Sequence, residues 1–419
     1  MSVSSMKARV FLKNNQNVLQ LLHRFQSNLA GLDSKKLEIT PAGPKEVKAK
    51  PEVKDLVFGK NFTDHMLKVR WTANEGWHQP KITPFENFSM HPGAKVLHYA
   101  QELFEGMKAY RGVDDKIRMF RPMHNMARMN VTAQRACLPT FEGSEFVECI
   151  RKLIQIDQEW VPHCTSSSLY IRPTLIGTEA ALGVSPANEA ELYVILCPVG
   201  PYFATGLKPV NLLADPNFIR AWPGGCGFAK MGSNYAPTLW IGKHAEKYGC
   251  QQVLWLFGAD HEITEVGAMN IFALFDHGSG KKELVTPPLD QGIILPGVTR
   301  RSIIELVSEW GEFEVSERKV TMKEVLEANS KGQLLEMFGA GTAAVVSPVG
   351  GIYFDGKMQQ IPVPETSLAQ RIMNSMSDIY YGRVKHNWAI DVEEWKIDRN
   401  QHLQDYVNAE EKLRRVEAA

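Results

Sequence analysis

A short passage rich in glycine and proline, residues 198–208, separates two halves of the chain that both contain strand-like and helix-like segments. Glycine and proline interrupt regular structure, so this composition is typical of a connection between folded units. The chain has 419 residues, 44% of them hydrophobic, which is enough to build two domains with cores of their own. We therefore predict a mixed α+β protein whose two domains meet at this passage.

The half before the passage is expected to form the smaller domain, residues 55–198, around an antiparallel sheet. Residues 66–71 and other short segments alternate apolar and polar side chains between turns, which is the pattern of a half-buried strand. Residues 146–160 repeat apolar side chains at helical spacing and end before Pro162. Strands are followed by helices here, which favours an α+β arrangement.

The half after the passage is expected to form the larger domain, residues 209–398, with residues 199–208 as the interdomain loop. Residues 252–257 and 265–275 are apolar runs that predict strands, with a helix at 235–248 before them. A further helix is predicted to begin after Pro296, because proline favours the first turn of a helix.

Both ends of the chain differ from the two halves. Residues 1–32 contain four lysines and arginines, no acidic residue, and apolar side chains that could line one face of a helix. This composition predicts a mitochondrial presequence, with a cytosolic tail as the alternative. Residues 33–54 are rich in lysine and proline and are interpreted as a linker. Residues 399–419 form a charged extension for which a solvated helix or loose tail is expected.

Composition and charge exclude several classes of function. The 47 basic side chains are balanced by 47 acidic ones, so no positive field would draw the chain onto nucleic acid. No apolar run approaches the ~20 residues of a membrane-spanning helix. The six cysteines are scattered without a C-x-x-C pair, so we predict neither a metal site nor a disulfide framework.

The stretch around Lys230 is the strongest candidate for chemistry. Lys230 is the only charged residue in 228–235, and its neighbours are small or apolar. An ammonium in such surroundings tends to lose its proton, which makes lysine an amine nucleophile; an ordinary surface lysine is the alternative. Downstream, Glu265 places one carboxylate within an apolar strand-like run. Taken alone, Glu265 is interpreted as a solvent-exposed acid at a strand end. Together the two segments predict a cofactor site.

Six short blocks of the sequence, in order, resemble the branched-chain amino acid aminotransferases, which are class IV aminotransferases that use pyridoxal phosphate. The resemblance covers residues 56–382. The blocks are Phe58-Gly59-Lys60, Leu103-Phe104-Glu105-Gly106-Met107-Lys108-Ala109, Ser168-Leu169-Tyr170-Ile171-Arg172-Pro173, Lys230-Met231-Gly232-Ser233-Asn234-Tyr235, Thr264-Glu265-Val266-Gly267 and Gly339-Ala340-Gly341-Thr342. Several independent blocks in one order make a chance match improbable.

The resemblance implies the two-domain fold of the D-amino acid aminotransferase type, with a small α/β domain and a larger pseudo-barrel domain. It also implies that Lys230 binds pyridoxal phosphate covalently and moves the substrate proton, while Glu265 faces the pyridine nitrogen. Tyr235 would bond the ring oxygen, and Arg128 would bind the phosphate. The phosphate would be bound further by Val298, Thr299 and Thr342, the first two at a predicted helix start.

The substrate pocket is likewise implied by the resemblance, although each of its aromatic residues could equally be ordinary core. Arg172 is the candidate for holding the second carboxylate of glutamate or 2-oxoglutarate, with a structural ion pair as the alternative. The pocket residues are Phe58, Tyr99, Phe104, Tyr170, Arg172, Tyr202 and Ala343, together with Leu182 and Val184 from a partner subunit. Leucine, isoleucine and valine are the expected amino donors for 2-oxoglutarate, in a homodimer of the mitochondrial matrix or, alternatively, the cytoplasm.

The sequence departs from the family in two places. Ala344 and Ser347 occupy the positions of a redox-sensitive C-x-x-C found in mammalian members, so thiol regulation by that route is not expected. Ala268 replaces a threonine that many relatives have beside the ring. A D-amino acid transaminase, an aminochorismate lyase and a catalytically silent cofactor-binding relative are alternative functions. The aromatic pocket argues against the first two, and the complete set of cofactor residues argues against the third.

Overall fold

The computed structural model describes residues 31–200, 208–278, 280 and 282–394. These residues form a sheet of ten strands and a sheet of nine strands, with helices packed around both. The predicted α+β class is therefore confirmed. Within the same residues, no helix combines the length and the apolar character that crossing a membrane requires.

Nineteen strands are distributed over the described residues. They are β1 (Glu38–Ile39), β2 (His65–Thr72), β3 (Gly76–Trp77), β4 (Lys81–Pro84), β5 (Glu102–Phe104), β6 (Met107–Arg111), β7 (Ile117–Phe120), β8 (Ser168–Gly177), β9 (Glu189–Val199), β10 (Val210–Leu213), β11 (Gln252–Phe257), β12 (Glu262–Val266), β13 (Met269–Phe275), β14 (Lys282–Thr286), β15 (Phe313–Glu317), β16 (Leu334–Gly341), β17 (Val345–Phe354), β18 (Lys357–Gln360) and β19 (Ala389–Asp391).

The helices of the described residues lie mostly between these strands. They are α1 (Lys95–Tyr99), α2 (Pro122–Arg135), α3 (Gly143–Ile156), α4 (Thr238–Ala245), α5 (Val298–Trp310), α6 (Met322–Ser330) and α7 (Leu368–Tyr380). The α3 helix forms where the sequence predicts it, because its apolar residues recur on one face and the Glu142 side chain accepts a hydrogen bond from the Ser144 amide at its start.

The first sheet has the order β1-β4-β2-β9-β8-β6-β7-β19, with β3 beside β2 and β5 beside β8. Its longest antiparallel pair joins β8 and β9 over ten residues on each strand. The α2 and α3 helices pack against each other, and α3 also packs against β2. This arrangement brings the buried face of α2 next to β5 and the connection that follows it, within the second family block.

The second sheet has the order β12-β11-β10-β17-β16-β13-β14-β15. Because β12 pairs with β13 as well as with β11, six of these strands close into a ring. An apolar core is built on the strands of this ring, with Leu254, Ile271 and Ile352 among its buried members. The predicted pseudo-barrel is therefore confirmed.

The two sheets share a core and are not independent. Tyr110 of β6 and Trp388 near β19 belong to the same buried cluster as Phe272 and Phe338 of the ring and residues of α5 and α7. Apolar burial at this junction contributes roughly 25 cal/mol for each Å² removed from water, so it resists separation of the domains. The candidate site lies at this junction.

Several segments differ from their predicted arrangement. Residues 33–54, predicted to be a linker, contribute β1, which pairs with β4 in the first sheet. The β19 strand, from the end of the predicted large domain, also joins that sheet. The run 265–275 is a hairpin of β12 and β13 because Gly267 turns the chain between them. Residues 235–248 become helical only at Thr238, and a 3-10 turn follows from Glu246.

Other parts of the predicted organisation lie outside the described residues. They include residues 1–30 of the predicted presequence, 201–207 of the predicted interdomain loop and the charged extension at 399–419. The division into domains at residues 55–198 and 209–398 remains a prediction.

A buried pair of side chains links the N-terminal segment to the end of α3. His65 donates its backbone N–H to Asp157 (3.1 Å) and its Nδ1 lies 2.7 Å from the same carboxylate, while its Nε2 accepts from the Ala42 amide at 2.8 Å. The Asp157 side chain is almost completely buried. It therefore fixes the ring that holds residue 42 against the sheet.

Replacing Asp157 with alanine is expected to lower the free energy of unfolding by about 2 to 4 kcal/mol, because the buried His65 groups lose their acceptor. Chemical denaturation would measure the change. The matched control is Glu159→Ala, two residues further along, whose carboxylate is mostly exposed. An equal loss in both variants would contradict a specific role for the buried pair.

Candidate active site

Hydrogen bonds of its backbone hold the Lys230 segment against α2 and the first sheet. The Lys230 amide donates to the hydroxyl of Thr132 on α2 at 3.0 Å, and its carbonyl accepts from the Phe104 amide of β5 at 3.1 Å. The next residue, Met231, forms an isolated bridge with Leu103. Bonds of this kind on both sides fix where the lysine side chain begins.

The Lys230 amine lies in a buried, mainly aromatic environment. Its Nζ donates to the Tyr235 hydroxyl at 2.8 Å and lies 4.7 Å from the centre of the Phe104 ring. Burial, together with the positive charge of Arg128, lowers the pKa of Lys230 to about 7 against the opposing effect of Glu105. A large fraction of this amine is therefore uncharged and nucleophilic near neutral pH.

Tyr235 connects the amine to a cavity of about 130 Å³. Its ring lies 5.0 Å from that of Phe104, and burial raises the pKa of its hydroxyl above the ordinary value, so the phenol stays protonated. The same cavity is lined by Arg220, Glu265 and Ala268. A flat ligand in this cavity would meet a phenol and a carboxylate.

Glu265 is 3% exposed and lies at the end of β12. The turn after it requires a residue such as glycine, because Gly267 has φ of +54° and a Cβ there would collide with the Gln252 side-chain oxygen. The carboxylate accepts from the Leu295 amide at 3.0 Å. Its other oxygen lies 2.6 Å from Arg220 Nε.

The balance of these contacts decides the charge of Glu265. Burial raises its pKa above the ordinary value, and Arg220 and the Leu295 amide oppose that rise. Arg220 keeps a compensating positive charge beside the carboxylate. A carboxylate with increased proton affinity is a good partner for a protonated ring nitrogen.

Arg128 is held by a second buried carboxylate. Its Nε and Nη2 both donate to Glu105 at 2.7 Å, and its Nη1 donates to the Pro296 carbonyl at 3.1 Å. Asn125 also donates to Glu105, at 2.8 Å. Although burial alone would raise the pKa of Glu105, Arg128 holds it below the ordinary value, so the pair is ionised.

The predicted phosphate residues meet at the start of α5. Val298 and Thr299 are buried in the first turn of this helix, and the N-cap residue Gly297 has no side chain with which to cap it. Both residues line a small cavity together with Thr342 and Lys108. Free helix amides, a hydroxyl and an ammonium form a donor set suited to an anion.

The aromatic pocket residues form a continuous surface beside Lys230. The rings of Phe58 and Tyr170 meet edge to face at 5.0 Å, and Arg172 donates to the Tyr170 hydroxyl at 3.0 Å. The Arg172 guanidinium also lies 4.8 Å from the Phe104 ring centre. The structure therefore brings Phe58, Phe104, Tyr170 and Arg172 together as the sequence predicts.

The remaining pocket residues are arranged differently. The Tyr99 hydroxyl donates to the Leu182 carbonyl, but Tyr99, Leu182 and Val184 are all exposed, Val184 to 85%. Ala343 lies in the turn between β16 and β17, with its carbonyl facing Lys108 at 2.8 Å. Tyr202 lies outside the described residues. Ala344 and Ser347, which replace the cysteine pair, are both buried.

Three residues of the site are not identified by the sequence analysis. Glu105 and Lys108 lie inside a family block but lack an assigned role, whereas Arg220 gives no sequence signal beyond its position. Their partners are far apart in the chain: Arg220 meets Glu265, and Lys108 meets Ala343. Only the folded arrangement makes these residues recognisable.

The chain matches known proteins over most of its length. Residues 102–352 match the family model for amino-transferase class IV. The cytosolic branched-chain-amino-acid aminotransferase of Caenorhabditis elegans is 54% identical, covering 85% of this chain and 88% of that protein. The mitochondrial form from Rattus norvegicus is 52% identical, covering 80% of this chain and 86% of that protein.

A solved structure agrees with the similarity in sequence. The branched-chain amino acid aminotransferase from Escherichia coli is 26% identical, with a TM-score of 0.60, and covers 78% of this chain and 99% of that one. Pyridoxal phosphate is the cofactor of the class IV aminotransferases. The fold and the order of the site residues point to the same family. The chain belongs to the branched-chain-amino-acid aminotransferases of the class IV aminotransferase family.

Proposed function

We propose that this protein transfers the amino group of L-leucine, L-isoleucine or L-valine to 2-oxoglutarate, reversibly and with pyridoxal phosphate as cofactor. The observation that carries the proposal is the Lys230 amine, buried with a pKa of about 7 and bonded to Tyr235. Tyr235 and Glu265 both line the cavity of about 130 Å³. An amine nucleophile bonded to a tyrosine whose cavity also contains a buried carboxylate suits this cofactor.

The residues present fit the cofactor by the chemistry of their donors. Glu265 would face the ring nitrogen, Tyr235 the ring oxygen, and Val298, Thr299 and Thr342 the phosphate. Arg128 would contribute a guanidinium nitrogen to the phosphate while Glu105 holds the rest of its side chain. When bound, pyridoxal phosphate supplies an aldehyde that reacts with amines and a ring that accepts electrons from the substrate α-carbon.

The protein's part in the chemistry is mainly the movement of one proton. The Lys230 amine would take the α-proton of the substrate at Nζ and later release it, because a pKa near neutrality suits both accepting and donating a proton. Tyr235 orients this nitrogen through its hydroxyl. The Phe104 ring covers one side of the Lys230 amine and excludes water from it, which strengthens the electrostatic interactions at the site.

Lys230→Ala is expected to abolish leucine transamination. In the wild-type protein, the rate at which cofactor-free chain takes up pyridoxal phosphate should rise with pH and reach half its plateau near pH 7, because only the uncharged amine reacts. Stopped-flow absorbance would record the uptake. Lys247→Ala, at an exposed lysine after α4, is the control and should behave as wild type. Retained transamination in Lys230→Ala would refute the proposal.

We propose that the aromatic surface selects the substrates. Phe58, Phe104 and Tyr170 provide an apolar surface for a branched side chain, and a methylene group in such a pocket is worth only about 1 to 3 kcal/mol. All three branched-chain amino acids are therefore expected to react. Arg172 places a guanidinium beside this surface, and its Nε is buried without a hydrogen-bond partner in the described chain.

Arg172→Met is expected to lower kcat/KM for 2-oxoglutarate roughly tenfold to hundredfold, because the second carboxylate loses a charged hydrogen bond. The value for leucine should fall much less, since its side chain carries no charge. Steady-state kinetics with both substrates would show the difference. Arg70→Met removes an exposed arginine from the same sheet and serves as control. Equal losses for both substrates would rule out this role.

We propose a homodimer in which each subunit completes the other's pocket. Apolar side chains that the family resemblance assigns to substrate binding are exposed in the single chain: Phe58 to 48%, Leu182 to 66% and Val184 to 85%. Exposed apolar surface of this kind is typical of an interface. The partner's loop would bury it.

Changing Leu182 and Val184 together to aspartate is expected to shift the protein towards monomer and lower kcat/KM for leucine, because two charges would enter an apolar interface. Sedimentation velocity and kinetics would measure both effects. Val113→Asp, at another exposed valine, is the control. A wild-type monomer with full activity would contradict the dimer.

We propose the mitochondrial matrix as the location, on the basic and acid-free composition of residues 1–32. The relatives include both cytosolic and mitochondrial proteins. Uptake of the full chain by isolated mitochondria would support the proposal. A protein that stays outside them, uncleaved, would favour the cytoplasm.

A further inference from the structure

A second buried lysine lies at the opposite end of the site from Glu265. Lys108 projects from β6, is 9% exposed, and donates to the Ala343 carbonyl at 2.8 Å. No carboxylate of the described chain lies within ion-pair distance of its ammonium. Buried lysines are rarely left without a counter-charge, so this one calls for an anion.

A matched comparison is available in the same sheet region. Lys95 is also buried, but it forms an ion pair with Glu179 at 2.8 Å and two hydrogen bonds with Ser185. Its charge is therefore satisfied by the protein itself. The two lysines differ in their partners and not in their burial.

The charge balance at the start of α5, beside Val298, Thr299 and Thr342, also indicates that an anion there needs a further cation. Arg128 is the other cation there, but Glu105 binds it through two hydrogen bonds of 2.7 Å and is itself completely buried. The pair carries no net charge. Without another cation, a phosphate or carboxylate at the N-terminus of α5 would be balanced only by the helix amides and by the partial positive charge of the helix dipole, about half an elementary charge.

Lys108 is placed to make that contribution. It lines a cavity of about 20 Å³ together with Val298, Thr299 and Thr342. The cavity is too small for a phosphate group but has room for one water, so it can connect the ammonium with an anion on its far side. Lys108 also bonds the carbonyl next to Thr342, which fixes the turn from 341 to 345.

We propose that Lys108 is a positioning residue that supplies the uncompensated positive charge for an anionic group bound at Val298, Thr299 and Thr342. The proposal rests on the proposed aminotransferase function. The same donors would bind either of two anionic groups, the phosphate of the cofactor or the carboxylate of the substrate. Lys108 acts on it by its charge and by holding the Ala343 carbonyl.

The protonation of Lys108 makes its charge measurable. Burial lowers its pKa to about 8, so it loses its proton within the accessible pH range when no anion is bound. Tyr110 and Tyr380 line the same cavity, and burial raises the pKa of both hydroxyls, so they stay neutral there. Tyr170 on β8 is the strand partner of Lys108, and its hydroxyl accepts a hydrogen bond from Arg172. Asn125 also lines the cavity and donates to Glu105, which is ionised together with Arg128.

The test compares Lys108→Met, Lys108→Arg and the control Lys247→Met, at an exposed lysine far from this cavity, in the full chain. We expect Lys108→Met to weaken binding of one anion about tenfold or more, which corresponds to the loss of a charged hydrogen bond. Lys108→Arg should restore most of the affinity, and Lys247→Met should leave it unchanged. Equilibrium binding of pyridoxal phosphate and of phosphate-free pyridoxal, together with KM for leucine and 2-oxoglutarate, would identify the anion.

The outcomes separate the two sources. Weaker binding of pyridoxal phosphate with unchanged binding of pyridoxal assigns Lys108 to the phosphate. Unchanged cofactor binding with raised KM for both substrates assigns it to the shared carboxylate. Unchanged values for all four ligands would overturn the proposal.

A pH series excludes a merely structural role. Wild-type affinity for the identified anion should fall as pH rises through about 8, because the protonated form binds it, and Lys108→Met should lack this part of the decline. Titration of Lys230 is common to both proteins and cancels in the comparison. Identical pH profiles would overturn the proposal while leaving aminotransferase activity intact. A wild-type protein without cofactor binding or transamination would refute the proposed function itself.

Discussion

The ion pair of Glu105 and Arg128 is the interaction on which the rest of the site depends. Glu105 lies in the connection between β5 and β6 of the first sheet, and Arg128 lies on α2. Arg128 also donates to the Pro296 carbonyl, just before α5. Three elements from two domains are thus joined through one guanidinium. Breaking a buried pair of this kind costs about 3 to 5 kcal/mol, because the remaining charge is stranded. The pair therefore fixes the position of the start of α5 relative to the first sheet.

The same pair sets the electrostatics of Lys230. Arg128 lowers the pKa of the lysine and Glu105 raises it, so the two effects partly cancel and burial is left as the main cause of the shift. Because Glu105 offsets the charge of Arg128, the Lys230 amine keeps its basicity although an arginine is buried nearby. A pKa of about 7 is a compromise that allows the amine both to attack and to carry a proton.

Local patterns in the sequence predicted the regular elements well. The α3 helix and the strands β2 and β11 were recognisable because the pattern of their apolar residues is continuous. The hairpin of β12 and β13 was not, since one glycine turn inside an apolar run leaves no change in composition. The strands β1 and β19 were missed because two or three residues carry too little periodicity, and their pairing depends on contacts far away in the chain.

For the site, the family resemblance predicts Lys230, Tyr235 and Glu265, but it gives no account of which partners stabilise their charges. Glu265 needs Arg220, which lies 45 positions earlier and has no distinguishing neighbours. Such partners are invisible in one sequence, because their spacing obeys no helical or strand period. Pair contacts of this type require the folded chain.

The substitution at Ala268 illustrates how these partners share the tuning of the ring. Ala268 lines the same cavity as Glu265 and Tyr235 but offers only a methyl group. In the proposed complex, polar contact with the ring on this side would be left to the carboxylate and the phenol. Because Arg220 and the Leu295 amide contact the Glu265 carboxylate, they would control its basicity and, through it, the electron demand of the ring. A hydroxyl at 268 would add a second, weaker contact without altering that control.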